Sequence, residues 1–342
     1  MRSKMFAACS VVTAIAAGTL STRADAVSDF YKGKSINLYI GFGSGGGYDV
    51  YARMLARHFG NFIPGNPIIV PQNMPGAGGV KSAAYLYNAA PRDGLALAMF
   101  GGFNGLEPLF GNTQANFDTV KFTWIGNMNR DVSSCAVWSA AGFNSFSDIM
   151  QRQMVFGSSG KGSTTSQHAL VLKNMLGAKV RVIDGYQGTN SINLAMQRRE
   201  VDASCGIFLS SALTSYAQAL KDGSMRILIQ FGRQNTSYFG DAVNLYDLLK
   251  SEDEKLAADI VFRQSEIARP IAAPPGISLD RANALRVAFM QTMKDPAFLA
   301  DAAKVSMPID PMTGDEVAGL YQSFYAAPKT IVERAKFIMN TN

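Results

Sequence analysis

Cysteine is scarce in this chain, with 3 residues in 342. That is far too few for a disulfide scaffold. Charge is thin as well: 17% of residues are charged against 47% hydrophobic. A disordered chain needs the opposite balance, so that class is excluded. The formal charge is +6, but no run of five or more Lys/Arg concentrates it, and the footprint of a nucleic-acid partner is missing. No unit of about 20–50 residues recurs, which removes solenoids and propellers. Histidine occurs only as His58 and His168. Each falls in a segment of helical spacing, without H-E-x-x-H or a similar metal-ligand pattern. There is no G-x-S-x-G nucleophile elbow. The crowd of Asp301, Asp310, Asp315 and Glu316 reads as helix caps and solvated faces. Nothing brings an acid, a base and a nucleophile together, so no enzyme activity, metal or cofactor is expected.

The first residues have the order of an export leader. Arg2 and Lys4 form a positive start, and Met5–Leu20 is an uncharged run. Ala24-Asp25-Ala26 supplies the small residues of a cleavage site. The run is shorter than the ~20 residues that span a bilayer core. Cleavage after Ala26 is expected, giving a periplasmic protein. Cys135 and Cys205 then remain. A single bridge and two small buried hydrophobes are both compatible with the sequence.

The rest of the chain alternates. Ser35–Phe42 reads as a buried strand, Gly43–Gly47 as a loop and Tyr48–Phe62 as a helix. Ile68–Val70 is a second strand, Pro75–Gly79 another glycine loop, Val80–Ala90 a helix and Leu95–Phe100 a strand. This order argues for an α/β layer with a parallel sheet. Trp124–Ala140 reads as a crossing into a second unit. There Met154–Phe156, Gly157–Ser163 and Thr164–Leu176 repeat strand, loop and helix. Glu266–Ala273 reads as the return crossing, and Asp280–Lys294 and Gly314–Phe337 as helices that complete the first unit. The expected division is a leader over 1–26, a first lobe over 27–132 plus 272–342, and a second lobe over 133–271.

Three strand-to-helix loops, 43–47, 75–79 and 157–165, are small and polar. A helix N-terminus offers unpaired N–H groups and partial positive charge, and glycine lets an anion come close. In open α/β sheets such sites lie at the carboxyl ends of strands. Two lobes presenting them would frame a cleft for a negatively charged guest. The charge would then be met by amides, hydroxyls and dipoles rather than by a strong ion pair. Gly41–Gly46 also fits G-x-G-x-x-G, but the acidic residue expected about 20 positions on is missing, which argues against a dinucleotide. Lys161 is either a partner for a second carboxylate or a solvated loop lysine.

Several motifs, in order and spacing, resemble one family. They are Phe30–Lys34, Gly41–Asp49 with Arg53, Gln72–Gly79 (QNMPGAGG), Tyr85–Asn88, Pro91–Gly94 (PRDG), Gly185–Thr189 and Glu200–Asp202. The chain resembles the extracytoplasmic solute receptors of tripartite tricarboxylate transporters, the Bug receptors, from about residue 28 to the C-terminus. The resemblance implies a type II periplasmic-binding-protein fold, two α/β lobes with a hinged interlobe cleft. It implies a receptor, with a monomer the simplest form, that delivers a small organic carboxylate to the membrane subunits of the transporter. An exported sensory or orphan binding protein and an exported α/β enzyme are the alternatives. The ligand-binding positions it implies are Phe42, Gly43, Ser44, Gly45, Gly46, Gly47 and Tyr48, with Ala77 and Gly78 from the second loop. From the second lobe come Ser158, Ser159, Gly160, Thr164 and Thr165, and Tyr186, Gln187 and Gly188 face the same cleft.

Overall fold

A computed structural model describes residues 26–233 and 235–339. The expected leader, apart from Ala26, lies outside the described residues. The chain builds two six-stranded sheets. In the first, β1 (Ser35–Ile40) pairs in parallel with β2 (Ile68–Asn73) on one side and β3 (Ala96–Met99) on the other. β1 buries Ile36, Leu38, Tyr39 and Ile40, and β3 is buried along its whole length. Such nearly continuous apolar runs belong to strands covered on both faces. The cover comes from α1 (Gly47–His58) and α2 (Val80–Asn88). α1 turns Tyr48, Tyr51, Met54 and Leu55 inward, each worth about 1.5–3 kcal/mol of burial.

Strand β4 (Thr123–Asn127) leads out of this sheet, and β5 (Ser133–Trp138) opens the second. There β6 (Met154–Ser158) pairs in parallel with β7 (Val180–Asp184) and β8 (Ala203–Phe208). β9 (Met225–Gln230) and β10 (Val243–Asn244) follow. The chain then returns through β11 (Pro270–Ala273) and ends the first sheet with β12 (Met312–Thr313). The strand orders are β12-β4-β11-β3-β1-β2 and β10-β9-β5-β8-β6-β7. They share one plan. In each sheet the first strand after a crossing is inserted antiparallel, β11 between β3 and β4, β5 between β8 and β9. Two α/β lobes with this exchange of strands form the type II periplasmic-binding-protein fold.

The two crossings run side by side. Met128 N donates to Arg269 O at 3.1 Å and Asp131 N to Ser265 O at 3.0 Å. Strand β4 thus stays in the first sheet, although the sequence reading placed Trp124 in the crossing; the actual link is Met128–Val132. In the second lobe α3 (Thr164–Leu176) and α4 (Thr189–Gln197) cover the sheet. Later come α5 (Glu252–Phe262), α6 (Leu279–Thr292), α7 (Pro296–Lys304), α8 (Gly314–Tyr325) and α9 (Lys329–Ile338).

The last helix departs from the sequence reading. α8 and α9 are separate, broken over Ala326–Pro328, and α9 leaves the first lobe to pack on α5 and α3. Its apolar face of Val332, Ala335 and Ile338 is buried. Arg334 Nη2 meets Glu254 Oε1 at 3.4 Å, and Asn174 Nδ2 donates to Ile338 O at 3.0 Å. A helix with one apolar stripe goes where that stripe is covered.

Cys135 and Cys205 form a disulfide between register neighbours on β5 and β8. It spans a sequence separation of 70, for which the chain-entropy account gives about 4 kcal/mol. Among the described residues no helix is long and apolar enough to cross a membrane.

Candidate functional site

The glycine loop after β1 is anchored from below. Asp49, in the first turn of α1, accepts from Gly45 N at 2.9 Å, Arg53 Nε at 2.9 Å and Asn73 Nδ2 at 2.8 Å. Burial raises its pKa, but these donors outweigh burial and hold the carboxyl below its ordinary value. Ser44 and Gly45 therefore sit exposed at the loop tip, and the Gly45 amide is spent on Asp49.

The two lobes meet loop against loop. Gly43 N donates to Gln187 O at 2.7 Å, and Gly78 N to Ser159 O at 3.1 Å. Asn104 Nδ2 reaches from the first lobe to Gly162 O at 2.6 Å. The backbones are so close that a Cβ on Gly78 would lie 2.7 Å from Ser163 N, and one on Gly160 2.8 Å from Gly78 N. Both glycines also have positive φ. Two of the amides expected to be open to a guest are thus paired across the cleft.

Inside this seam lies a small cavity of about 20 Å³, enough for one water or one carboxylate oxygen. The first lobe contributes Phe42, Gly47 and Tyr48, and the second contributes Ser159, Ser163, Thr164 and Thr165. α1 begins at Gly47 and α3 at Thr164, and neither start has a side-chain cap. First-turn amides have no acceptor within their own helix. Two positive helix ends from opposite lobes therefore border one space. The hydroxyls form a cluster: Ser163 Oγ and Thr165 Oγ1 are 2.6 Å apart, and Thr165 Oγ1 accepts from Ser159 N at 3.0 Å.

Thr189, Gly206, Phe208, Ser211 and Arg269 complete the wall. Sequence reasoning missed all five. Arg269 is the most consequential. It lies in the return crossing just before β11 and is 1% exposed. Its Nη1 donates to Ala268 O at 2.8 Å and its Nη2 to Ser210 Oγ at 2.9 Å, with Ser211 Oγ at 3.4 Å. Its Nε has no partner among the described residues. The rings of Tyr48, Tyr51 and Phe208 lie 4.6, 4.8 and 4.9 Å from the guanidinium carbon. The cavity expected to meet a charge with amides, hydroxyls and dipoles thus also has a guanidinium in its wall. In the sequence it is the one Arg of Glu266–Ala273 (EIARPIAA).

A second space of about 180 Å³ shares Phe42 and Ser159 with the first. Ala77, Gly78, Tyr186 and Gln187 line it, together with Gly41, Pro75, Gly76 and Gly185. Of the expected positions, Gly43, Ser44, Gly45, Gly46, Ser158, Gly160 and Gly188 line neither space. Gly46 faces Thr189 at an ordinary 3.7 Å, whereas a Cβ on Gly47 would meet Ser211 Oγ at 2.8 Å. Ser158 supports the loop by accepting from Gly160 N at 3.0 Å, and Gly188 opens α4.

Lys161 is elsewhere. It borders an outer chamber of about 640 Å³ with Lys336, Asp184, Gln167 and Glu107. Glu107 is buried, and burial pushes its carboxyl up to about 7 against a hydrogen bond from Asn112. Its Oε1 has no partner among the described residues and lies 2.9 Å from where a Cβ on Gly162 would be. His168 is also buried, and desolvation lowers its pKa to about 3, as suits a neutral core histidine.

The model of the "Tripartite tricarboxylate transporter family receptor" matches residues 52–336. The chain belongs to this family. The receptor is 25% identical to the "UPF0065 protein in gbd 5'region" of Cupriavidus necator, over 97% of each chain. It shares its fold with the periplasmic binding protein BugD at a TM-score of 0.71 and 15% identity, over 90% of this chain and 98% of that one. It shares it too with MatC from Rhodopseudomonas palustris, solved with malate, at 0.68 and 16%, over 90% and 99%. An R. palustris protein solved with adipate gives 0.70 and 16%, over 89% and 97%. Membership makes this chain a solute receptor that delivers a small organic ligand to membrane transporter subunits.

Proposed function

We propose that the ligand is a small organic carboxylate, held between the lobes and delivered from the periplasm to the membrane subunits of a tripartite tricarboxylate transporter. One observation carries this reading: two uncapped helix N-termini, from α1 and α3, converge from opposite lobes on one hydroxyl-bearing cavity. That is the arrangement an anion seeks. Malate and adipate in two solved relatives support the same class.

The binding positions are Phe42, Gly47, Tyr48, Ser159, Thr164 and Thr165 around the anion, with Ala77, Gly78, Tyr186 and Gln187 around its body. Opening separates the Gly43–Gln187 and Gly78–Ser159 pairs and admits the solute. Closure by rotation about Met128–Val132 and Ser265–Arg269 brings both helix ends onto it. Each charge-assisted hydrogen bond contributes about 1.5–3 kcal/mol. Several together reach micromolar affinity, about −8 kcal/mol. A ligand stabilises the closed form only by its differential affinity for it.

Calorimetric titration of the purified receptor with carboxylates and their amide counterparts tests this. Saturable binding of carboxylates without product formation is expected. Binding confined to neutral solutes contradicts it. N-terminal sequencing of the periplasmic protein should begin at Val27.

A further inference from the structure

The carboxylate reading leaves the number of charges on the ligand open, and the inner spaces bear on it. Arg269 is fully buried, lines the cavity where the two helix ends meet, and keeps Nε unpartnered. No carboxylate among the described residues makes an ion pair with it: its donors go to Ala268 O and two serine hydroxyls. Asp131, the acid in electrostatic reach, accepts instead from Val132 N at 2.8 Å and Ser210 N at 3.3 Å. A buried cation without an ion pair is costly unless something compensates it. Three aromatic rings and the charge of Asp131 offset part of this, and an anionic guest would add to it.

The adjoining 180 Å³ space has no Lys, Arg or His in its wall. Its contacts are Phe42, Pro75, Tyr186, main chain, and the polar Ser159 and Gln187. With about 180 Å³ this space has room for one ring or a short aliphatic tail, beside the apolar faces of Phe42, Pro75 and Tyr186. A second carboxylate placed there would find no cationic side chain to pair with. Lys161 and Lys336 belong to the outer chamber. The seam of 77–78 against 160–163, main chain on main chain, closes beside them.

We propose, resting on the carboxylate reading, that the receptor selects monocarboxylates, pairing the single carboxylate with the Arg269 guanidinium and seating an apolar body between Phe42 and Tyr186. Arg269 is then the residue that determines specificity.

Isothermal titration with hexanoate and benzoate, their amides, and adipate tests the proposal. Adipate is hexanoate with its terminal methyl replaced by a second carboxylate. At least one monocarboxylate should bind about tenfold to a hundredfold tighter than its amide, and hexanoate at least about tenfold tighter than adipate. Arg269→Gln should erase the acid–amide gap, and Arg269→Lys should restore part of it, since Lys keeps the charge but not the fork. Adipate binding as tightly as hexanoate overturns the proposal but leaves the carboxylate reading standing. An acid–amide gap that survives in folded Arg269→Gln does the same. Failure of every carboxylate, with binding only of amides, overturns both. If Arg269→Gln does not fold, the wild-type comparison of hexanoate with adipate still decides.

Discussion

The interlobe cleft holds two very different spaces. The outer chamber is large, about 640 Å³, and mixes charges: Lys161 and Lys336 against Asp184 and Glu107. The inner cavity is small, about 20 Å³, and has one cation, four hydroxyl-bearing residues of the second-lobe loop and two helix ends. Volume favours the first and chemistry the second. In a receptor that closes on its ligand, closure completes the space that both lobes line, and the inner cavity is lined from both lobes.

The contrast can be broken by closing the inner space permanently. Gly47→Val puts a branched side chain where Ser211 Oγ and Arg269 Nη2 stand at 2.8 and 3.1 Å from the Cβ position. Carboxylate affinity should fall about a hundredfold or more, read by titration, with circular dichroism unchanged. Gly46→Val, whose Cβ has ordinary room at 3.7 Å, should cost far less; equal losses would deny the distinction.

A second test sits on the seam. Glu107 moves from an ordinary 4.5 to about 7 when buried, so the closed form takes up a proton. The shift favours closure fully below about 4.5, and the advantage is lost as pH rises through about 7. The upper bound is about 3 kcal/mol; burial within its own lobe reduces the share that closure controls. Lys161, Lys336 and Asp184 face the same chamber and temper the effect. Affinity measured from pH 5 to 8 should fall several-fold, and Glu107→Gln should flatten the profile. A profile rising with pH would contradict the assignment.

The smallest effect is expected in the outer chamber. Lys161→Ala should change carboxylate affinity by less than about threefold, because a solvated lysine contributes little. A loss as large as that from Gly47→Val would move the site outward.

How much of this was legible beforehand follows from range. The strand–loop–helix units around Gly43–Gly47, Pro75–Gly79 and Gly157–Ser163 are local, written in apolar runs and glycine. They carried the two α/β lobes, and the family resemblance added the type II fold and six of the residues that line the inner cavity. Arg269, Phe208, Ser211, Thr189 and Gly206 reach the same cavity only through the swapped strand order, which no local pattern encodes. Arg269 did leave a trace, as one of two charges, with Glu266, in the short stretch leading into β11. Gly206 did not: its positive φ and the 2.5 Å from its Cβ position to Thr164 Oγ1 exist only once β8 meets α3. The placement of α9 was illegible for a like reason. Its apolar stripe was visible, but not which lobe would cover it.

The most direct measurement is a crystal structure of the receptor with a bound carboxylate. The account places the carboxylate carbon between the first turns of α1 and α3, with one oxygen within hydrogen-bonding distance of Arg269. A carboxylate seated between Lys161 and Lys336, with the inner cavity unchanged, would contradict it.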